Sequence, residues 1–247
     1  MNNFEIVAHR GVTDEAPENT LLAFERAIEL GADAVELDVR LTADRIPVVF
    51  HYYYLENTTP IVGPIFNYKY EELKQLQVRG RSTIGKISTF PDVLDAIGGQ
   101  IGLEVEIKGP EPESAVIVAG ILREHKRVWQ TMEITSYEPA LLLEIRKQCP
   151  GLATDLLFSR SQPWMKLDVV AYQALHQARL AQARAVHLHP TQLSQDVVAG
   201  IKQNGIEVHA WDVNDEKSLQ IIAELEVPRI CTDNFQQAFD FRKRSFA

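Results

Sequence analysis

The sequence is poor in cysteine and has no excess of positive charge. Of its 247 residues two are cysteine, and 25 basic residues stand against 34 acidic ones, giving a formal net charge of −9. Two cysteines far apart in the chain argue against a disulfide framework and suit a reducing compartment. The negative charge argues against a nucleic-acid partner, because phosphate backbones require a basic surface. An anionic substrate would therefore need a local cationic centre, either a metal ion or a few placed Arg and Lys side chains.

Long apolar segments are also missing. The longest run of apolar and small residues, AVIVAGIL at 115–122, is far shorter than the roughly 20 residues that a membrane-spanning helix needs. The amino-terminal stretch MNNFEIVAHRG lacks the apolar segment of a signal peptide. We therefore expect a cytoplasmic protein without a stable membrane anchor. The sequence does not indicate an oligomeric state.

Short β-rich runs alternate with helical patterns along the whole chain. The first run, EIVAH at 5–9, precedes a segment with apolar residues at helical spacing, and Asn19 or Thr20 can cap its start. Alternation of this kind predicts a parallel sheet with helical crossovers. No repeat, low-complexity tract or linker interrupts it, so we expect a single domain over residues 1–247.

Nine segments are candidate strands. The connection LTADRI between AVELDV and PVVFH is too short for a parallel crossover, so PVVFH should return as the second arm of an antiparallel hairpin. Removing this arm leaves eight parallel strands, which predicts an α/β fold of the TIM-type (β/α)₈ barrel class with a short insertion at about 52–88. The alternative is an open doubly wound sheet, but no glycine-rich phosphate loop follows the first strand.

Acidic residues lie near the ends of two candidate strands, where barrel enzymes build their active sites. Glu36 and Asp38 share one face of the second strand, and Glu106 and Lys108 share one face of the next parallel strand. Three converging acids would repel one another, and a hard divalent cation such as Mg²⁺ or Ca²⁺ removes that repulsion. An isolated Glu-x-Asp is more often a solvated strand edge, but here its flanks are apolar. The pattern therefore predicts a metal site.

Two histidines end candidate strands close to these acids. His9 ends the first strand and His51 ends the hairpin arm, and imidazole suits proton transfer near neutral pH. Centring the hairpin turn between Asp44 and Arg45 makes His51 the direct partner of Asp38, on the same face of the sheet. Each histidine by itself could equally be a polar strand terminus.

Other polar and aromatic residues are less specific. Arg10 and Lys108 can hold phosphate oxygens, although salt bridges to the nearby acids would explain them as well. His187 and His189 share a strand face, but no carboxylate pattern accompanies them in the sequence, so strand-end polarity explains them better than a metal. Trp211, on composition alone, is more often a core residue than a platform for substrate.

Motifs along nearly the whole chain resemble those of the glycerophosphodiester phosphodiesterases. In order they are AHRG, APENTLLAFERAIELGADAVELDVRLTAD, PVVFH, LEVEIKG, VHAWDVND and ICTDN. The resemblance implies a barrel of the phosphatidylinositol-phospholipase-C type and hydrolysis of a small-molecule glycerophosphodiester to glycerol 3-phosphate and an alcohol, with one divalent ion, Mg²⁺ or Ca²⁺. It also implies roles for single residues: Glu36, Asp38 and Glu106 as metal ligands, His9 and His51 as the acid/base pair, and Arg10, Lys108 and Trp211 as substrate-binding groups.

The sequence departs from the family pattern at four positions. Tyr52 follows His51 where the family usually has Asp, and Asn57 stands where it usually has Arg. Arg45 replaces a turn glycine, and Asp212 replaces Thr after the tryptophan. None of these changes removes a proposed ligand or proton carrier, but they affect the leaving-group side. Two alternatives therefore remain: a catalytically weak phosphodiester-binding barrel, and a related phospholipase that acts on lipid phosphodiesters.

Overall fold

The computed structural model describes residues 4–245. Its strands, in chain order, are β1 (Glu5–Ala8), β2 (Ala34–Leu41), β3 (Pro47–Val49), β4 (Gln77–Arg79), β5 (Ile84–Lys86), β6 (Gly102–Ile107), β7 (Met132–Ser136), β8 (Ala153–Leu157), β9 (Ala185–Leu188), β10 (Glu207–Ala210) and β11 (Arg229–Thr232). Its α-helices are α1 (Leu21–Leu30), α2 (Tyr70–Leu73), α3 (Phe90–Ile97), α4 (Glu113–Glu124), α5 (Pro139–Gln148), α6 (Leu167–Ala181), α7 (Gln195–Lys202), α8 (Glu216–Glu224) and α9 (Phe235–Ser245).

Eight parallel strands close into a barrel within this part of the chain. Going around it, the neighbours are β1, β2, β6, β7, β8, β9, β10 and β11, and β11 pairs again with β1. Helices pack outside the strands, and their apolar faces form the main core with the outward side chains of the sheet. The predicted (β/α)₈ barrel is confirmed. The open doubly wound sheet is wrong, because β1 has a parallel partner on both sides.

The hairpin after β2 is present, but its predicted register is wrong by one residue. Phe50, and not His51, lies opposite Asp38, and the Phe50 amide donates to the Asp38 carbonyl at 2.9 Å. The turn is closed by the Thr42 amide, which donates to the Ile46 carbonyl at 3.1 Å. Three residues lie between this pair, an odd number, and a turn of odd length shifts the pairing by one position.

His51 nevertheless lies among the predicted site residues. β3 ends at Val49, so the alternation of the strand no longer fixes the direction of the His51 side chain. The His51 carbonyl accepts a hydrogen bond from Nε of Arg40 at 2.6 Å. Its half-buried imidazole interacts electrostatically with Asp38 and Lys108. His51 therefore reaches the acids because the chain leaves the β-sheet after β3, and not because of the register of the hairpin.

Residues 52–88 form an insertion that packs around a small second apolar core, shared with Val48 and Phe50 of the hairpin arm. It contains two 3₁₀ turns (Leu55–Asn57 and Ile65–Asn67), α2 and the β4–β5 hairpin. The sequence predicted a weak helix here but missed the hairpin. Each of its arms is three residues long and buries a single residue, Val78 or Gly85, so the alternation is too short to be recognised in the sequence.

The interior of the barrel carries many polar side chains, whereas branched apolar residues usually fill this position. Glu104 of β6 contacts His187 of β9, with 3.5 Å between Oε1 and Nδ1. These strands are not neighbours, so both side chains point inside. No helix between residues 4 and 245 combines the length and the apolar character that crossing a membrane requires.

Candidate active site

Three buried carboxylates meet at the carboxyl-terminal side of the barrel. Asp38 of β2 is paired in register with Glu106 of β6, and Glu36 shares the face of Asp38. One oxygen from each residue lies within 4.8 Å of the others. Oε1 of Glu36 is buried and has no hydrogen-bond partner among the described residues. An all-oxygen donor set of this kind fits a hard divalent cation.

Burial and mutual repulsion perturb the ionisation of these acids. Burial raises the pKa of Glu36, and the charges of Asp38 and Glu106 raise it further. Burial also raises the pKa of Glu106. Burial opposes ionisation of Asp38 as well, yet the charge of Lys108, together with that of Arg10, outweighs it and holds the pKa of Asp38 below its usual range. The positive charges near the cluster are therefore too few to keep all three carboxyl groups ionised. A bound divalent ion would supply the missing positive charge.

Lys108 and Arg10 are salt-bridged to these acids. Nζ of Lys108 lies 3.0 Å from Oδ1 of Asp38 and 2.6 Å from Oε2 of Glu106. Nε of Arg10 lies 3.4 Å from Oδ2 of Asp38, and its NH1 group lies 3.0 Å from Glu18. Both basic side chains keep some exposure, 13% for Lys108 and 15% for Arg10. The two cations thus face the same small space as the acids.

His9 is oriented by Asp233, at the carboxyl end of β11. Nδ1 of His9 lies 2.6 Å from Oδ1 of Asp233, and Asn214 donates to the other carboxylate oxygen at 2.7 Å. The hydrogen bond with His9 lowers the pKa of Asp233, so the carboxylate accepts and Nδ1 donates. Nε2 is left for chemistry, 3.9 Å from Oε2 of Glu36. The motif ICTDN contains Asp233, but the sequence did not indicate its role.

His51 is held in its neutral form by its surroundings. Burial lowers the pKa of His51 to about 3, and Lys108 and Arg10 act in the same direction against the attraction of Asp38. Nδ1 of His51 is buried without a hydrogen-bond partner in the described part of the chain. The ring packs edge-on against Tyr52, with 4.7 Å between centroids. A neutral imidazole has one unprotonated ring nitrogen, which is the form that a general base requires.

Asn19 is a site residue that sequence reasoning missed. Its Nδ2 donates to Oδ2 of Asp38 at 2.7 Å, and the Asp38 amide donates to its Oδ1 at 3.1 Å. Of the two candidate caps, Thr20 caps α1, and Asn19 instead fixes the acid. The available signal was the asparagine of APENT, which was interpreted only as a possible helix cap.

Trp211 lies at the edge of the acid cluster. Its Nε1 donates to the carbonyl of Phe158 at 3.2 Å. The indole borders a cavity of about 40 Å³ together with His9, Glu36 and Glu106. Trp211 is partly buried, so it belongs neither wholly to the core nor to the outer surface.

Two of the residues that depart from the family pattern contact charged groups at this end of the barrel. The Tyr52 ring lies under the Arg10 guanidinium, 5.7 Å from its centroid, and its hydroxyl is 3.4 Å from Glu18. Asp212 accepts a hydrogen bond from Arg160 at 2.8 Å. Both residues therefore contribute to the shape and charge of the surface beside the proposed site.

His187 does not have the simple strand-end role that its sequence position suggested. It is 1% exposed and lies 3.4 Å from Asp155 and 3.5 Å from Glu104. These carboxylates come from β8 and β6, so no local pattern in the sequence could reveal them. His189, in contrast, lies after β9 near the rim, where Nε2 is 3.5 Å from Asp212.

Comparison with known proteins agrees with this geometry. A model of the glycerophosphoryl diester phosphodiesterase family matches residues 9–237. A glycerophosphodiester phosphodiesterase from Caldanaerobacter subterraneus subsp. tengcongensis is 31% identical over 241 residues, which cover 93% of this chain and 93% of that protein. One from Bacillus altitudinis is 30% identical over 97% of this chain and 98% of its own length. A phosphodiesterase from Oleispira antarctica, solved in complex with the product sn-glycerol-3-phosphate, is 26% identical with a TM-score of 0.83, covering 98% of this chain and 97% of that one. This chain therefore belongs to the glycerophosphoryl diester phosphodiesterase family.

Proposed function

We propose that the chain is a metal-dependent phosphodiesterase that hydrolyses glycerophosphodiesters to glycerol 3-phosphate and an alcohol. The observation that carries this proposal is the buried trio of carboxylates with two imidazoles beside it, at the end of the barrel where this fold builds active sites. The product bound to the Oleispira antarctica relative supports the same reaction.

Glu36, Asp38 and Glu106 would hold one divalent cation, Mg²⁺ or Ca²⁺. Both ions prefer oxygen ligands, and this donor set contains only carboxylate oxygens. When bound, such an ion would polarise a phosphate oxygen and stabilise the negative charge that develops in the transition state. Asn19 would keep Asp38 in place through its two hydrogen bonds.

His9 and His51 would divide proton removal and proton delivery between them. The hydrogen bond from His9 to Asp233 directs its Nε2 toward the site, and His51 is neutral and able to accept a proton. One imidazole would deprotonate the nucleophile, either water or the glycerol hydroxyl, and the other would protonate the departing alcohol.

Arg10 and Lys108 would bind the phosphate. In the structure both neutralise the acids. A cation held by the same acids would leave these two side chains free for phosphate oxygens, which guanidinium and ammonium groups bind well. Trp211 would offer an apolar surface to the glycerol moiety beside His9 and Glu36.

We place this activity in the cytoplasm, acting on a soluble substrate. Both cysteines, Cys149 and Cys231, are buried as free thiols, which suits a reducing compartment. A small-molecule substrate also agrees with the excess of acidic over basic residues, which disfavours binding to nucleic acid or to an anionic lipid surface.

A product assay tests this function and separates it from the two alternatives. The purified chain is incubated with Mg²⁺ or Ca²⁺ and a panel of glycerophosphodiesters with choline, ethanolamine, serine, inositol or glycerol as the alcohol. Glycerol 3-phosphate should appear for at least one of them. Binding without turnover would indicate a phosphodiester-binding barrel. Release of phosphoethanolamine or phosphocholine instead would show that the other ester bond is cleaved, which contradicts the proposal.

A further inference from the structure

A second group of ionisable residues lies inside the barrel, and the proposed reaction does not use it. We call it the inner cluster, and it consists of Glu133, Asp155, His187 and His209. All four residues are buried, and one possible ligand atom of each lies within 4.8 Å of the others. Glu133 lies in the first half of β7 and Asp155 at the middle of β8, whereas His187 and His209 are the third of four residues in β9 and β10. Arg184, which precedes β9, and Arg229, which begins β11, both contact Glu133. The inner cluster is therefore nearer than the candidate active site to the amino-terminal end of the barrel.

Three atoms of the inner cluster have the spacing of a metal site. Nε2 of His187 lies 3.1 Å from Nδ1 of His209, and these nitrogens lie 3.4 Å and 3.7 Å from Oδ2 of Asp155. These separations are close to the roughly 3.3 Å between neighbouring ligand atoms of a tetrahedral Zn²⁺ site, where the bonds to histidine nitrogen and carboxylate oxygen are about 2.0 Å long. Glu133 provides an oxygen as a possible fourth ligand.

The outer nitrogen of each histidine faces a carboxylate. Nδ1 of His187 lies 3.5 Å from Oε1 of Glu104, and Nε2 of His209 lies 3.3 Å from Oε2 of Glu207. Histidines that bind metals almost always donate their other N–H group to a carboxylate, a carbonyl or a water molecule, which fixes the ring and its tautomer. This second observation is independent of the spacing of the inner atoms.

From this geometry we propose that the inner cluster is a zinc site with Glu133, Asp155, His187 and His209 as its four ligands. Two imidazoles and two carboxylates suit Zn²⁺ in tetrahedral coordination better than Mg²⁺ or Ca²⁺, which prefer oxygen alone. The ion would link four consecutive strands of the barrel. Its position toward the amino-terminal end of the strands assigns it to the stability of the fold and not to catalysis.

Arg184 must move for the ion to bind. It donates to Oδ2 of Asp155 at 2.6 Å and also contacts Glu133. Its side chain is 40% exposed and borders an open cavity of about 290 Å³, into which it can turn. Once Arg184 has turned away, Glu133, Asp155 and Glu104 would carry three negative charges, and the guanidinium of Arg229 would carry one positive charge. A divalent cation neutralises the remaining formal charge of −2.

The first experiment detects histidine ligation of zinc in the folded protein. The variant Glu36→Gln weakens the all-oxygen site, and excess Mg²⁺ fills what remains of it. After chelator treatment and desalting, the protein receives one equivalent of Zn²⁺, is desalted again and is examined by X-ray absorption. We expect one zinc per chain with two imidazole ligands. Loss of the zinc on desalting, or a shell containing only oxygen, would overturn the proposal.

The second experiment uses a residue at the edge of the site, so that folding is not at risk. Glu207 is 55% exposed and its carboxylate lies 3.3 Å from Nε2 of His209, so Glu207→Gln should weaken Zn²⁺ binding by about 10- to 100-fold. Glu216→Gln, at a similarly exposed acid (49%) on α8, is the matched control. Calorimetric titration with Zn²⁺ in excess Mg²⁺ measures the zinc affinity of both variants.

Removal of a ligand provides a further check on stability. Zn²⁺ should raise the melting temperature of the unmodified chain and of Glu216→Gln, and it should not do so for His209→Asn. If His209→Asn does not fold, the comparison between Glu207→Gln and Glu216→Gln decides. Equal zinc affinity of these two variants would contradict the proposed ligation through His209.

Discussion

At the scale of single residues, the two proposed proton carriers are fixed in different ways. His9 is oriented by the hydrogen bond to Asp233, whereas His51 is kept neutral by burial and by nearby cations. Neither ring depends on a regular strand for its direction, since β1 ends at Ala8 and β3 at Val49. Both side chains can therefore be replaced with little effect on the packing of the barrel.

The roles of these histidines can be tested by substitution. His9→Asn and His51→Asn should each lower kcat by about 10²- to 10⁴-fold, the usual effect of losing a general acid or base. His176→Asn, at an exposed histidine of α6 whose ring contacts Tyr172, should leave kcat unchanged. Steady-state kinetics with a soluble glycerophosphodiester and circular dichroism of each variant provide the measurement. A folded His9 or His51 variant with near-normal kcat would show that this residue is structural.

At the scale of elements, the β2–β3 hairpin shows what the sequence could and could not predict. A connection too short for a crossover was enough to predict an antiparallel arm. The register was not predictable, because it depends on whether two or three residues form the turn, and Thr42 closes it with three. The position of His51 depended on where the ladder ends, which the β-branched run PVVF does not indicate.

The same turn contains a residue in an unfavourable backbone conformation. Arg45 has a φ of +62°, a region that costs residues with a Cβ atom about 1–2 kcal/mol, and the family usually has glycine here. Arg45→Gly should therefore increase the free energy of unfolding by about 1 kcal/mol. Its exposed ion pair with Glu113, 3.0 Å long, contributes little in water.

Arg45→Ala is the matched control, because it removes the same ion pair but keeps the Cβ atom. Chemical denaturation of the unmodified chain, Arg45→Gly and Arg45→Ala separates the effect of the backbone conformation from the effect of the ion pair. We expect Arg45→Gly to be more stable than Arg45→Ala by about 1 kcal/mol. If the two variants are equally stable, the backbone conformation at this position carries no cost and the explanation is wrong.

The candidate site could be predicted where its residues share a strand or follow one another in the chain. Glu36 and Asp38 are visible as a pair, and Lys108 lies two positions after Glu106. Asp233, in contrast, reaches His9 from the other end of the chain. The inner cluster was missed for the same reason, because each of its four members comes from a different strand. Contacts between distant strands leave no local pattern.

At the scale of the whole molecule, the fold encloses a polar barrel interior. No helix in residues 4–245 is able to cross a membrane. The insertion at 52–88 buries Leu55, Ile65, Leu73, Val78 and Ile87 in a small core that also contains Val48 and Phe50. Its exposed large aromatic and aliphatic residues are Tyr53, Tyr54, Val62, Phe66 and Ile84. The formal net charge of −9 nevertheless disfavours binding to an anionic lipid surface.

We therefore expect a preference for soluble substrates. The rate of glycerol 3-phosphate release from glycerophosphoethanolamine should be at least about tenfold higher than the rate at which any phosphorylated product is released from intact phosphatidylethanolamine vesicles. A tenfold ratio corresponds to about 1.4 kcal/mol of transition-state stabilisation. Sedimentation with the same vesicles tests binding separately from turnover. Faster turnover of vesicles than of the soluble diester would instead support the phospholipase alternative.

The most direct test of the central claim is the dependence of hydrolysis on a divalent cation held by the three carboxylates. The chain is treated with chelator, and glycerol 3-phosphate released from glycerophosphoethanolamine is measured before and after Mg²⁺ or Ca²⁺ is restored. We predict that chelation abolishes turnover and that one of these ions restores it. We also predict that Asp38→Asn stays at least about 10²-fold less active than the unmodified chain at saturating ion, since metal stabilisation is worth several kcal/mol. The control Asp95→Asn, at an exposed acid on α3, should be as active as the unmodified chain. Full turnover in excess chelator, or an Asp38→Asn variant as active as Asp95→Asn, would contradict the account.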